Sequence, residues 1–256
     1  APGDEGVTTP LTFCATANCL LYQGARAVFA DVEEETLTLD PKRVAEKLTP
    51  RTKAILPVDY AGHPAALDAF LELANARGLV VIEDATHAPG AWYRGRRIGS
   101  ISHMSVFSFH PVKHMTTGEG GMVTTNREDL AARVRRFRQH GITKDPRELQ
   151  RNEGPWYYEM HDLGFNYRLT DFQSALGLSQ LRKVGKFVSA RRRIAAMYDG
   201  LLSKVEDVVR PVERPWATHS YHLYPVRVPA RLRRRVFETL RARGIRDLAV
   251  LKAFAE

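Results

Sequence analysis

Asp84, His87 and Lys113 are the residues whose types and spacing could carry a reaction in this chain. Lys113 stands in residues 106–126, V-F-S-F-H-P-V-K-H-M-T-T-G-E-G-G-M-V-T-T-N. There an alternating apolar run (Met104, Val106, Phe107, Phe109) enters a proline-marked turn, and a glycine-rich bend leads on to a second strand-like run at 122–125. A lysine on a turn between two buried strands is held in one place and partly desolvated. Burial disfavours the ammonium form and lowers its pKa from about 10.4. A neutral, positioned amine is the group that forms Schiff bases. Asp84 closes the continuous apolar run at 79–82, L-V-V-I. A carboxylate placed there can pair with a protonated heteroaromatic nitrogen, and His87 can hold a carboxylate or a phenolic oxygen. Taken singly, each residue has a plainer explanation: a solvated turn lysine, a loop cap and a packing histidine.

Positioning these groups falls to alternating strands and helices. A strand end at 7–10 is followed by a capped helix from Thr12 to about Tyr22, with Gly24 as its stop. Residues 27–32 (A-V-F-A-D-V) form the next strand, Asp40-Pro41 open a helix through Leu48, and 53–58 (K-A-I-L-P-V) form another strand. Pro64 begins a helix that runs to Arg77 and closes at Gly78. The strands are too uniformly apolar to have one wet face, so the pattern predicts a largely parallel sheet with helices on both sides. In such sheets ligands gather at the carboxyl ends of the strands, where Asp84 lies. Beyond Asn126 come a charged helix to about Gly141, a polar and aromatic loop at 143–160, and one long helix or two over 170–201, capped by Thr170 or Asp171. A strand at 221–228 and a helix at 229–243 begin a second domain. The division is a large domain at 1–200 and the start of a small one at 201–256.

Composition narrows the function classes. The 256 residues are 44% hydrophobic, as a globular core requires. No window reaches the roughly 18 uninterrupted apolar residues of a membrane helix, and no signal segment opens the chain. Cys14 and Cys19 read as small apolar helix residues rather than a disulfide framework, which fits a reducing, cytoplasmic setting. The net charge of +9 comes mostly from arginines at 133–138, 191–193 and 231–235. Their helical spacing reads as solvated helix faces rather than a nucleic-acid surface. No metal-ligand spacing is present.

Together the motifs carry a family resemblance. E-D-A-T-H-A-P-G-A-W-Y-x-G-x-x-I-G-S from Glu83, V-F-S-F-H-P-V-K-x-M-T-T-G-E-G-G-M-V-T-T-N from Val106, T-T-P-L-T-F-C-A-T-A-N from Thr8 and L-G-F-N-Y-R-L-T-D-F-Q-S-A-L-G-L-S-Q-L from Leu163 occur in the family's order. They resemble the DegT/StrS-type sugar aminotransferases, α/β enzymes of fold-type I that use pyridoxal 5′-phosphate, over nearly the whole chain to about Arg243. The wording is most similar to the branch that aminates UDP-4-keto-6-deoxy-N-acetylhexosamines on the way to pseudaminic acid, and is also similar to the transaminase that makes UDP-4-amino-4-deoxyarabinose.

The resemblance implies roles residue by residue. Lys113 becomes the Schiff-base lysine and proton carrier, Asp84 the partner of the pyridine nitrogen, and His87 a neighbour of the cofactor's phenolic oxygen or of Asp84. Phe13 becomes the ring stack, Ser108 a phosphate ligand, and Asn166 a residue reaching the phosphate of the neighbouring subunit. Tyr60 and His110 fall where substrate contacts lie. A homodimer with shared sites, a nucleotide-sugar substrate and L-glutamate as donor follow from the same resemblance.

Several features depart from the family. Its main phosphate cradle is a Gly-Ser/Thr loop before the segment where this chain opens, and the tail at 248–256 differs from the usual continuation. A longer protein is therefore expected. Two other readings stay open: a non-catalytic homologue, and a sugar dehydratase, whose branch carries histidine where Lys113 stands.

Overall fold

A computed structural model of the chain describes residues 1–244; the divergent tail at 248–256 lies outside them. Its frame is a six-stranded sheet in the order β2-β1-β3-β4-β7-β8. The strands are β1 (Glu5–Thr8), β2 (Arg26–Phe29), β3 (Thr52–Ile55), β4 (Val80–Asp84), β7 (Met104–Ser108) and β8 (Gly121–Thr124). All neighbours pair in parallel except β7 and β8. Between β4 and β7 the short strands β5 (Trp92–Tyr93) and β6 (Arg96–Arg97) form a ribbon, to which β11 (Ala217–Thr218) adds from far along the chain. A two-residue ladder joins β9 (Ile142–Thr143) to β10 (Glu159–Met160).

The expected parallel α/β sheet is present, and its chemistry explains it. Val7, Ile55 and Val81, on three adjacent strands, are fully buried. Helix α3 (Leu67–Arg77) lays Leu67, Phe70 and Ala74 into the same core, and α2 (Pro41–Lys47) adds Val44. Asp40 caps α2 by accepting the Lys42 N–H at 2.8 Å, with Pro41 at the first helical position. α3 ends at Gly78 in the left-handed conformation, φ 62°. The long helical stretch is two helices, α5 (Asp171–Leu181) and α6 (Val184–Leu202), the first opened by a reciprocal capping box between Thr170 and Gln173.

Other expectations are corrected. The first helix, α1 (Ala15–Leu21), starts later than Thr12 and lacks a side-chain cap, because the Thr12 hydroxyl is engaged with Thr16. Helix α3 starts at Leu67 rather than Pro64, since the Ala65 N–H is drawn aside by the Asp59 carboxylate at 2.8 Å. Residues 221–228 form no strand: Tyr221 sits at φ 49°, Pro225 offers no N–H, and one isolated bridge, Val209 to Arg227, is the only ladder contact among the described residues. Strand β8 lies at the sheet edge with Met122 and Val123 exposed, so the Lys113 turn does not join two buried strands. Cys14 and Cys19 are exposed rather than packed.

The arginine faces divide. Helices α4 (Glu128–Phe137) and α7 (Ala230–Ala242) bury no residue, as solvated helices should. On α6, however, Arg191 donates to the Tyr221 and His222 carbonyls and Arg192 donates to the His219 carbonyl. These two therefore clamp the 219–222 segment onto the sheet domain.

Candidate active site

Strands β4 and β7 run side by side, with Asp84 level with Val106 and the Ala85 N–H donating to the Val106 carbonyl at 2.9 Å. Their carboxyl ends therefore open at one place. Asp84 is fixed there by two donors: the Thr16 hydroxyl reaches Oδ2 at 2.6 Å and the Thr86 N–H reaches Oδ1 at 3.1 Å. Thr16 in turn lies 2.8 Å from the Thr12 hydroxyl. With its own proton given to Asp84, Thr16 must accept from Thr12, so the relay runs Thr12 to Thr16 to Asp84. A carboxylate oxygen has room for more than one donor, so Asp84 can still accept a ring N–H.

Lys113 rides on a loop whose two ends are tied together. The Phe109 N–H donates to the Gly120 carbonyl at 2.9 Å, and the Phe109 carbonyl accepts from the Thr117 N–H at 3.0 Å and the Thr116 hydroxyl at 2.9 Å. Phe109 and Met115, on either side of Lys113, are buried against Val184 and Val188 of α6. The turn itself is closed by the Lys113 N–H donating to the His110 carbonyl at 2.9 Å. Ser108 ends β7, and its hydroxyl accepts the His110 N–H at 3.3 Å. An anion brought to this corner meets the Ser108 hydroxyl and a backbone turn that carries the half-buried Lys113.

His87 is oriented by strain elsewhere. Ala61 holds a left-handed backbone, φ 59°, and so presents its N–H to His87 Nδ1 at 3.3 Å. That bond assigns Nδ1 as acceptor and leaves Nε2 as the donor in the neutral ring. Tyr60 meets His87 edge-on at 6.0 Å. Gly62 beside them, at φ 102°, has no substitute: a Cβ would sit 2.5 Å from Ser220 Oγ and 2.8 Å from the His87 carbonyl.

The histidine cluster extends further than the sequence suggested. The His222 ring lies 4.4 Å from His87 and 5.3 Å from His114. Burial, followed by the fields of His87, Lys113, His114 and Arg191, pushes His222 far below the usual histidine range. His114 is pushed down to about 4, chiefly by burial. Both are neutral at pH 7, and each keeps a buried Nδ1 without a hydrogen-bond partner. Burial likewise pushes the Tyr60 phenol upward, so it stays protonated.

The structure thus links Tyr60 to His87, and His87 through His222 to the Lys113 turn, beside Asp84 and Ser108. Phe13 stands next to this group, its carbonyl accepting the Thr16 N–H at 3.1 Å, with its ring 72% exposed. Asn166 is elsewhere: exposed, bridged to Gln139, and tied to Asp84 or Lys113 by none of these contacts. Sequence reasoning misses Thr16, whose hydroxyl faces Asp84 only after folding, and His222, whose surroundings in sequence read as a strand. Their sequence signals were the second threonine of T-F-C-A-T and the histidine of S-Y-H-L-Y. Among the described residues no group of three His, Cys, Asp or Glu side chains could hold a metal, and no helix is long and apolar enough to cross a membrane.

A carboxylate fixed by two donors, a turn lysine, a hydroxyl at a strand end and an exposed flat ring fit the nitrogen, aldehyde, phosphate and face of pyridoxal phosphate. Comparison with known proteins points the same way. The profile of the DegT/DnrJ/EryC1/StrS aminotransferase family matches residues 1–252. The spore coat polysaccharide biosynthesis protein SpsC of Bacillus subtilis is 41% identical over 89% of this chain and 58% of its own length. GDP-perosamine synthase of Caulobacter vibrioides is 40% identical over 98% of this chain and 64% of its own. Among solved structures, Helicobacter pylori PseC, an aminotransferase involved in the biosynthesis of pseudoaminic acid, superposes with a TM-score of 0.87 at 34% identity, over 95% of this chain and 64% of that one. The chain therefore spans about three fifths of the length of the relatives it matches.

Proposed function

Because the chain belongs to the DegT/DnrJ/EryC1/StrS aminotransferase family, we propose that it carries the catalytic face of a pyridoxal phosphate-dependent sugar aminotransferase. Its substrate is a nucleotide-linked 4-keto-6-deoxy sugar, of the UDP-4-keto-6-deoxy-N-acetylhexosamine type, and its amino donor is L-glutamate. The observation that carries this reading is the fixing of Asp84 by Thr16 and Thr86 at the strand end beside the Lys113 turn.

When bound, the cofactor supplies an electron sink for the carbon that loses a proton. The chain's own residues do the rest. Asp84 accepts the ring N–H and keeps that nitrogen protonated. Lys113 would hold the cofactor through its amine and, in its neutral form, would be the base that moves the proton. Ser108 and the neighbouring turn bind phosphate, Phe13 covers the ring face, and His87 offers Nε2–H to the phenolic oxygen. Tyr60 and His110 contact the sugar.

Several large apolar side chains between Trp156 and Leu181 support a homodimer with shared sites: Leu163 is 84% and Phe172 91% exposed. Asn166, in the same segment, is the residue that reaches the partner's phosphate. The names of the relatives support a sugar substrate, since one is a GDP-perosamine synthase and another serves pseudoaminic acid biosynthesis. The two-domain division, with its boundary near residue 200, and a cytoplasmic setting belong to the same reading.

A half-reaction screen tests it: UDP- and dTDP-linked 4-keto sugars are offered to the pyridoxamine form, and the aminated product is followed by mass spectrometry. Turnover of none of them would remove the substrate assignment. Titration of pyridoxal phosphate into this chain and into one extended at its N-terminus separates an enzyme from a non-catalytic homologue. The dehydratase reading is disfavoured by Lys113 itself and by His114, whose Nε2 is committed to the Ser220 carbonyl at 3.1 Å.

A further inference from the structure

Asp59 and Glu83 are both fully buried, and they stand where the chain continuing from β3 runs beside the end of β4. Each accepts one short hydrogen bond from the described residues. The Ala65 N–H reaches Asp59 Oδ1 at 2.8 Å, and the Ser105 hydroxyl donates to Glu83 Oε2. The remaining oxygens, Asp59 Oδ2 and Glu83 Oε1, receive no N–H or O–H from any other described residue. The two carboxyl groups lie close enough to act on each other, and the Ser102 hydroxyl, without a hydrogen-bond partner of its own, lies beside Glu83. Asp84, also a carboxyl group, acts on both.

Two fully buried carboxyl groups, each with an oxygen left without a donor, call for a proton between them. Without it, two buried anions would face each other with their desolvation uncompensated, an arrangement costing several kcal/mol per ion. Like charges in one such site cannot both ionise.

We infer that Asp59 and Glu83 share one proton, and that the resulting acid pair is a positioning device for Asp84. The Asp59 N–H donates to the Asp84 carbonyl at 3.0 Å, and the Asp84 N–H donates to the Pro57 carbonyl at 2.8 Å. The pair thus locks the two chain segments that carry Asp84. One proton is held between the two groups, and one negative charge rather than two lies behind Asp84. Burial and the neighbouring carboxylates push both groups upward in the same sense. The consequence for cofactor binding rests on the function proposed above; the shared proton does not.

Difference infrared spectroscopy of the full chain, at neutral pH in light and heavy water, tests the pair. The wild type should show the deuterium-sensitive carbonyl stretch of a protonated carboxylic acid. Asp84→Asn and Lys113→Ala should keep it, whether or not they bind pyridoxal phosphate. Asp59→Asn and Glu83→Gln should each lose it while staying folded, because either amide replaces the shared proton with its own N–H. The double variant sets amide donor against amide donor, so its loss of stability should exceed the sum of the singles. Absence of the acid band in wild type, or its survival in both single variants, would overturn the inference. If a single variant does not fold, carboxyl carbon NMR of the wild type decides: every Asp and Glu ionised at neutral pH would refute the shared proton.

Discussion

Thr16 donates a 2.6 Å hydrogen bond to Asp84 across 68 residues of chain. A helix-opening residue thereby orients the carboxylate at the end of β4, and Thr12 completes the relay behind it.

Replacing Thr16 by Val keeps the shape and removes the donor. Hydrogen bonds to charged groups contribute about 1.5–3 kcal/mol, so the affinity for pyridoxal phosphate should fall by about ten- to a hundredfold. Thr16→Ser should restore most of it. Absorbance titration checks both. Wild-type affinity in the Val variant would show that Asp84 needs no such support.

Lys113→Ala should abolish covalent capture of pyridoxal phosphate and reduce turnover by at least about 10²–10⁴-fold, the usual contribution of a positioned acid–base group. Borohydride reduction followed by peptide mapping should place the label on Lys113 in wild type and on no residue in the variant. A label on another lysine would move the assignment.

Gly62→Ala should destabilise the chain by at least about 1–2 kcal/mol for the left-handed backbone alone, with the Ser220 and His87 contacts adding to it. It should also disturb the His87 ring, because Ala61 and Gly62 form the turn that presents an N–H to Nδ1. Urea unfolding measures the first effect. The imidazole resonance of His87 reports the second.

His114 titrates near 4 in the folded chain because it is buried, against 6.5 for an ordinary histidine. Between these values the unfolded chain binds the extra proton, so unfolding free energy rises with pH through that window. The contribution is complete above about pH 6.5 and is lost as pH falls to about 4, to the extent of about 3 kcal/mol. His219 and His222, pushed down by burial as well, add to the same slope. His114→Asn should flatten that part of the stability profile; an unchanged slope would show that His114 is not buried as a neutral ring.

Phe172→Asp tests the proposed dimer. The side chain is 91% exposed in a single chain, so monomer stability should change by less than about 0.5 kcal/mol. Light scattering should nevertheless show dissociation at concentrations where wild type is paired. A variant that pairs as wild type would clear this face of a role.

Much of the frame was legible because local chemistry and global fold agree. Asp40-Pro41, Gly78 and Thr170 each announce a helix boundary by a mechanism that acts within a few residues, and all three hold. Where a distant partner competes, the local signal fails. Thr12 reads as a cap but its hydroxyl goes to Thr16, Pro64 reads as a helix start but Asp59 takes the Ala65 N–H, and 221–228 reads as a strand but is held instead by Ala61 and Arg191.

The same distinction applies to the site. From residue types and spacing alone came the parallel α/β class, the lysine on its turn, the carboxylate at a strand end and the family resemblance, since each is written within one contiguous motif. Only the tertiary structure decided which hydroxyl holds Asp84, that His222 joins His87 and His114, and that Asp59 and Glu83 are buried together. Those facts depend on contacts between segments far apart in sequence and on burial, and burial is a property of the packed chain rather than of any residue's type.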